Sequence, residues 1–158
     1  MIFSKNIHTP VGIMLLSEEN GALTGVSLGK SVAEESQTTP VLDAAQRQIE
    51  AYFAGVRRQF DLPIKLRGTD FQRAVWQALR QIPYGETRTY GEIAAQLGCP
   101  RASRAVGMAC HKNPILLLVP CHRVIGAGGK LTGFGAGLPV KEQLLMLEGV
   151  KLTSDAAK

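Results

Sequence analysis

Residues 89–111 read Thr89-Tyr90-Gly91-Glu92-Ile93-Ala94-Ala95-Gln96-Leu97-Gly98-Cys99-Pro100-Arg101-Ala102-Ser103-Arg104-Ala105-Val106-Gly107-Met108-Ala109-Cys110-His111. Thr89 and Glu92 make a capping-box pattern, a hydroxyl at the N-cap and a carboxylate three residues on, which satisfies the first free N–H groups of a helix. A short helix through Leu97 is expected from it. Gly98-Cys99-Pro100 breaks that helix, because proline cannot continue one. Residues 101–111 form the next helix, and Asn113-Pro114 ends it. Two short helices joined by a three-residue turn containing glycine match a helix-turn-helix unit. A helix that reads bases offers several Arg, Asn or Gln side chains. This one offers Ala, Ser and Gly, with Arg104 as its one long probe. Such a face suits a helix pressed against DNA without base-sequence readout. Small residues equally suit tight packing between helices, so both readings stand on this stretch alone.

The flanking sequence extends the pattern. Thr69-Asp70-Phe71-Gln72 is a second capping-box pattern, and Phe71, Val75, Trp76, Leu79 and Ile82 follow on one helical face. Pro83-Tyr84-Gly85 ends that helix. Residues 115–119 are an apolar run that reads as a buried extended segment. Six glycines fall within residues 126–137, and residues 139–148 form a last helix with Pro139 in its first turn and Gly149 as its stop.

The first part of the chain has a different character. Residues 3–7, 13–17 and 23–28 read as short strands, and Asn20-Gly21 between two apolar runs is a hairpin signal. Residues 30–39 read as a loop and residues 40–54 as a helix with Leu42, Ala45, Ile49, Tyr52 and Phe53 at helical spacing. Residues 63–68 look like a linker. The expected organisation is an N-terminal α/β scaffold domain over 1–67 and a C-terminal helix-turn-helix domain over 68–158.

Composition agrees with this division. The chain has 158 residues, 45% hydrophobic and 20% charged, which excludes a wholly disordered protein. No apolar run approaches the ~20 residues of a membrane-spanning helix. No basic-then-apolar leader opens the chain, and an odd, sparse set of cysteines (Cys99, Cys110, Cys121) argues against a disulfide framework. A cytoplasmic, reducing setting is expected. The net charge is +5. Residues 1–67 hold seven basic and seven acidic side chains, whereas residues 68–158 hold eleven basic and six acidic, so the second part carries the whole excess. A polyanion partner or a solvated basic surface would each explain it.

Pro120-Cys121-His122-Arg123 follows the apolar run. A cysteine beside a histidine has the ingredients of an activated thiolate, since the imidazole can take the thiol proton. A third group should orient the imidazole, and Glu148 is a candidate. Together the two would lower the pKa of Cys121. An inert buried thiol is the plainer reading of any single cysteine. The three cysteines contain no Cys-x-x-Cys pair, and His8, His111 and His122 are not at ligand spacing, so no metal is expected.

Pro120-Cys121-His122-Arg123-Val124, preceded by Asn113-Pro114 and by Arg104-Ala105-Val106-Gly107, resembles the O6-alkylguanine-DNA alkyltransferases. The likeness extends over Phe71, Val75-Trp76, Ile82-Pro83, Gly85, Tyr90, Gly98 and Leu147-Glu148-Gly149, covering about residues 68–150. It implies a small antiparallel sheet plus helix of ribonuclease H-like type, followed by a mainly helical, winged helix-turn-helix-like DNA-binding domain. It implies base flipping, then irreversible transfer of the O6 alkyl group to Cys121, once per molecule and without a cofactor. His122 would be the water-mediated base, oriented by Glu148, with Asn113 bracing the turn that carries the cysteine. Tyr90 would help rotate the nucleotide and donate a proton to the departing guanine. Arg104 would fill the vacated stack, with Ala105 and Gly107 against the minor groove of double-stranded DNA. Val124, Phe134, Gly135 and Ala136 would line the base pocket. Phe134 and Ala136 stand where the family commonly has tyrosine and glycine, so the ring loses a hydroxyl and the pocket gains a methyl. The N-terminal part lacks the cysteine cluster of zinc-bearing or transcription-regulating relatives. A monomer acting on DNA with little sequence preference and no membrane partner is expected.

Three other readings compete with this one. A non-catalytic damage-binding relative would lack the reactive cysteine. A transcriptional helix-turn-helix protein would carry a richer reading helix. A cysteine hydrolase would need an oxyanion hole that nothing in the sequence nominates.

Overall fold

Asn20 and Gly21 both take positive φ, 53° and 80°, the requirement of the two-residue turn that best fits twisted antiparallel strands. They join β2 (Gly12–Glu19) to β3 (Ala22–Leu28). With β1 (Ile2–Thr9) these form an antiparallel sheet in the order β1-β2-β3. The structure, a computed structural model, describes residues 1–29, 36–134 and 136–152. Most of the expected loop over 30–39, and Gly135, therefore lie outside the described residues.

The chain divides into two compact units, Met1–Arg67 with Pro114–Leu116, and Gly68–Asn113 with Leu117–Lys158. In the first, α1 (Pro40–Phe53) is opened by the Thr39 hydroxyl, which accepts from the Leu42 N–H. It buries Leu42, Ala45, Ile49 and Tyr52, and the sheet contributes Ile7, Met14, Leu16, Leu23 and Val26 to the same core. Each such side chain contributes ~1.5–3 kcal/mol when fully buried. The outer edge of β3 is covered twice. The Leu23 N–H donates to the Pro63 carbonyl (2.8 Å), and the Val26 N–H donates to the Pro114 carbonyl (3.0 Å). Covering an edge removes a template for unwanted strand pairing.

That second contact corrects the expectation for residues 115–119. Ile115 pairs with Val26, but Leu117 adopts φ 72° and the chain turns there, so the run is no single extended segment. Ile115 belongs to the first unit, while Leu117, Leu118 and Val119 are buried in the second. An unbroken apolar run does not reveal that its two ends serve different cores.

In the second unit, α2 (Asp70–Leu79) and α3 (Tyr90–Gln96) each begin with a complete capping box, Thr69 with Gln72 and Thr89 with Glu92. α4 (Ser103–His111) starts two residues later than expected, and its N-cap Ala102 supplies no side-chain cap. The buried Trp76 donates from Nε1 to the Ala109 carbonyl (2.8 Å), tying α2 to α4. β4 (Arg88–Thr89) pairs in parallel with β5 (Val124–Ile125), and α5 (Leu138–Leu147) closes the unit. The β4–β5 pair sets the start of α3 beside the segment that follows Cys121. Among the described residues, no helix is long and apolar enough to cross a membrane.

Candidate active site

Cys121 is positioned by a tight turn. Pro120 takes φ −80° and ψ 65°, the geometry of an inverse γ-turn, and the Cys121 N–H donates back to the Val119 carbonyl (2.8 Å). A single helical turn, Cys121–Arg123, then leads into β5. Asn113, just past α4, braces this turn from the side. Its Nδ2 donates to the Val119 carbonyl (2.7 Å) and to Cys121 Sγ (3.1 Å). Sγ is therefore buried and faces an N–H donor, which favours its charged form.

His122 points elsewhere. Its Nε2 lies 2.7 Å from Glu148 Oε2, and both side chains are fully buried. Burial holds the His122 imidazole below its ordinary pKa, opposed by the hydrogen bond and charge of Glu148. In the neutral ring Nε2–H donates to the carboxylate, leaving Nδ1 as the basic nitrogen. Cys121 and His122 share no direct hydrogen bond among the described contacts, so a proton passing between them needs an intermediary.

Glu148 also binds a residue to which the sequence assigned no role. Arg123 donates from Nε to Oε1 (2.8 Å) and from Nη2 to Oε2 (3.0 Å), and its Nη1 donates to the Ile82 carbonyl (2.7 Å). The Gly85 N–H donates to the same Oε1 (3.2 Å). A buried carboxylate held by this many donors is fixed in place, and with it the imidazole.

Lys141 is the second residue that the sequence missed. It is fully buried on α5, and its Nζ donates to the Thr132 carbonyl (3.1 Å) and lies 3.5 Å from the Tyr90 hydroxyl. It also sits 5.7 Å from the Tyr90 ring centre and 5.9 Å from that of Phe134. Burial pushes the pKa of this amine down, and the two thiols oppose that shift. In return its charge helps both thiols ionise. Burial pushes the Cys121 thiol up, while Asn113 and Lys141 pull it down. The backbone hydrogen bond of Cys121 itself also pulls it down. Cys110, lacking an Asn donor, is pushed up to about 12 by burial and by Cys121. A lysine in the apolar stripe of a helix gives no sequence signal of such a role, whereas Arg123 sat within the Pro-Cys-His-Arg segment and could have been found there.

The remaining expected residues are placed as follows. The half-buried Tyr90 donates its hydroxyl to the Thr132 carbonyl (3.2 Å), and burial raises its pKa, so the phenol keeps its proton. Val124 is buried, Phe134 and Ala136 are half-buried, and Gly135 lies outside the described residues. Arg104 and Ala105 are exposed on α4. A methyl group at Gly107 would stand 3.8 Å from the Tyr90 ring, so α4 and Tyr90 are close neighbours. Among the described residues no cluster of His, Cys, Asp and Glu could hold a metal ion.

Comparison with known proteins agrees over the whole length. A family profile described as "6-O-methylguanine DNA methyltransferase, ribonuclease-like domain" matches residues 2–66, and one described as "6-O-methylguanine DNA methyltransferase, DNA binding domain" matches residues 70–150. A methylated-DNA--protein-cysteine methyltransferase of Methanosarcina acetivorans is 52% identical over 148 residues, covering 90% of this chain and 95% of that protein. One from Mycobacterium bovis is 49% identical over 160 residues, covering 98% and 97%. Among solved structures, the Mycobacterium tuberculosis O6-methylguanine methyltransferase superposes with a TM-score of 0.86 at 46% identity, over 98% of this chain and 97% of that one. The structure of M. tuberculosis OGT in complex with DNA gives 0.87 at 46% identity, with 98% of each chain covered. Two adjoining profiles and near-complete relatives at about half identity place this chain in the 6-O-methylguanine DNA methyltransferase family.

Proposed function

We infer that this protein removes alkyl groups from O6 of guanine in double-stranded DNA by transferring them, once per molecule, to Cys121. The observation that carries the reading is the Cys121 thiol, hydrogen-bonded by Asn113 and buried near Lys141, in a chain that matches its relatives end to end. The reaction needs a thiolate, an in-line approach to an sp3 carbon and a stabilised leaving group. His122, held by Glu148, takes the thiol proton through a bridging water. The Sγ–C bond forms as the C–O6 bond breaks, and the electron pair leaves with the guanine. Tyr90, whose phenol keeps its proton, supplies one to the departing base, which requires its hydroxyl to leave the Thr132 carbonyl. The product thioether has no leaving-group path back, so the protein is consumed.

The target nucleotide turns out of the duplex, because the reacting atom is otherwise shielded within the stack. Arg104, exposed and central on α4, fills the vacancy from the minor groove, with Ala105 and Gly107 allowing close approach. Val124, Phe134 and Ala136 line the base pocket, and the protein acts as a monomer with little sequence preference. Incubation with duplex DNA carrying radiolabelled O6-methylguanine, followed by intact mass and peptide mapping, tests this. Label should move to Cys121 in equimolar amount, and Cys121→Ser should take up none. Label on Cys99 or Cys110, or continued turnover, would overturn the assignment.

A further inference from the structure

Cys110 and Cys121 are both free thiols of the second unit, and nothing in the reaction described above uses Cys110. One residue ties them together. Asn113 donates its N–H to the Cys110 carbonyl at the end of α4 (3.2 Å), and its Nδ2 donates to Cys121 Sγ (3.1 Å). The two thiols also share their surroundings, since each acts electrostatically on both Tyr90 and Lys141. Both keep slight exposure, 4% at Cys121 and 8% at Cys110, so a small oxidant reaches them more readily than a large one. Burial and Cys121 push the Cys110 thiol up to about 12, so it stays protonated and leaves the first reaction with any electrophile to Cys121. Cys99, in the turn between α3 and α4, is half-buried.

We propose that Cys110 is the resolving thiol of Cys121, and that the pair is a modification site for hydrogen peroxide which ends in a Cys110–Cys121 disulfide. The Cys121 thiolate attacks one peroxide oxygen. The S–O bond forms, the O–O bond breaks and hydroxide leaves, so sulfur is oxidised to a sulfenic acid and peroxide is reduced. Cys110 then attacks Cys121 Sγ. The S–S bond forms as the S–O bond breaks, and the departing hydroxide takes the Cys110 proton to become water. Charge sets this order. A neutral sulfenic acid no longer pushes Cys110 up, while Lys141 still pulls it down. The disulfide is returned to two thiols by a thiol reductant, whereas sulfinic and sulfonic acids are not. For an acceptor that is used once, every irreversible oxidation costs a whole molecule.

Treatment of the full chain with hydrogen peroxide, in the absence of DNA, tests the pairing. After the remaining thiols are blocked, intact mass should fall by two hydrogens, and a non-reducing peptide map should join the peptides that hold Cys110 and Cys121. Dithiothreitol should restore most of the transfer to O6-benzylguanine. Cys110→Ser and Cys110→Ala should transfer normally before oxidation, then carry Cys121 to sulfinic and sulfonic acid and recover roughly tenfold less. Cys99→Ser should behave as the unsubstituted protein. A map without the joined peptide, a disulfide to Cys99, or equal recovery in the Cys110 variants overturns the proposal. The map uses no alkylated substrate. Absence of transfer before any peroxide is added therefore overturns the alkyl-transfer reading alone, and the map still decides the pairing.

Discussion

Lys141 combines two opposed effects in one side chain. Burying an ammonium without a carboxylate partner among the described residues is costly, and an apolar side chain of similar size avoids that cost. Its positive charge nonetheless helps the Cys121 thiol ionise. Lys141→Met should therefore keep or raise the melting temperature while slowing transfer at neutral pH. The rising limb of the rate against pH should move to higher pH, read as thioether formation with O6-benzylguanine by intact mass. A profile that does not move would separate Lys141 from the chemistry. His122 behaves in the opposite sense on the acid side. Its folded pKa lies below the ordinary value, so the ring stays neutral, and able to accept a proton, through neutrality. Protonation of His122 should therefore add no loss of transfer between pH 8 and about 6.5, and should slow it only below that range. Stability follows the same direction. The unfolded chain takes up this proton near ~6.5 and the folded protein only at lower pH, so more protons are bound unfolded and stability falls as pH drops through that window. Melting curves between pH 8 and pH 5 check the sign, and a melting temperature that rises on acidification would contradict it.

The helices of the second unit depend on local chemistry supported by a few close fits. The capping box at Thr69 is followed two turns later by Trp76, whose ring fills the space over Gly68. A Cβ at Gly68 would lie 2.7 Å from the Trp76 ring and 2.6 Å from Gln72 Oε1. The Gln72 end can swing aside at the loss of its bond to the Thr69 N–H, but the buried Trp76, anchored through Nε1 to Ala109, has little room to move. Gly68→Ala should cost roughly 1–3 kcal/mol by overpacking, visible as a lower midpoint in urea. An unchanged midpoint would mean that the helix shifts at no cost. The same principle explains why Glu148 matters beyond His122. It closes α5 and also holds Arg123 and Gly85, so its loss would leave a buried guanidinium without its counter-charge.

Across the molecule, the division into two units is not a single cut in the chain. Pro114–Leu116 group with the first unit although the sequence around them belongs to the second. A chain reduced to residues 68–158 loses the partners of the Pro114 carbonyl and the Leu116 N–H and exposes Ile115. One apolar side chain at ~1.5–3 kcal/mol and two hydrogen bonds at ~1 kcal/mol each suggest a loss of about 3 to 5 kcal/mol. Thermal denaturation of the fragment against the whole chain tests this, and equal melting temperatures would show that the edge of β3 contributes nothing.

The elements built from near neighbours could be read directly from the residues. The Asn20-Gly21 turn, the Thr69 and Thr89 capping boxes, the helix stop at Gly149 and the helix-turn-helix all rest on interactions within a few positions of one another, which spacing alone encodes. The Cys121-His122 segment stood out because two reactive residue types are adjacent in sequence, although the structure turns their side chains to different partners, Asn113 and Glu148. The β4–β5 pair joins segments 36 positions apart through two residues each, too few to leave a periodicity. Lys141 looked like one more position on a helix, and only the convergence of α3, α4 and α5 sets its charge among Tyr90, Phe134 and two thiols. The turn at Leu117 is hidden for the same reason. Apolar residues record that a segment is buried, and only tertiary packing decides which core buries it.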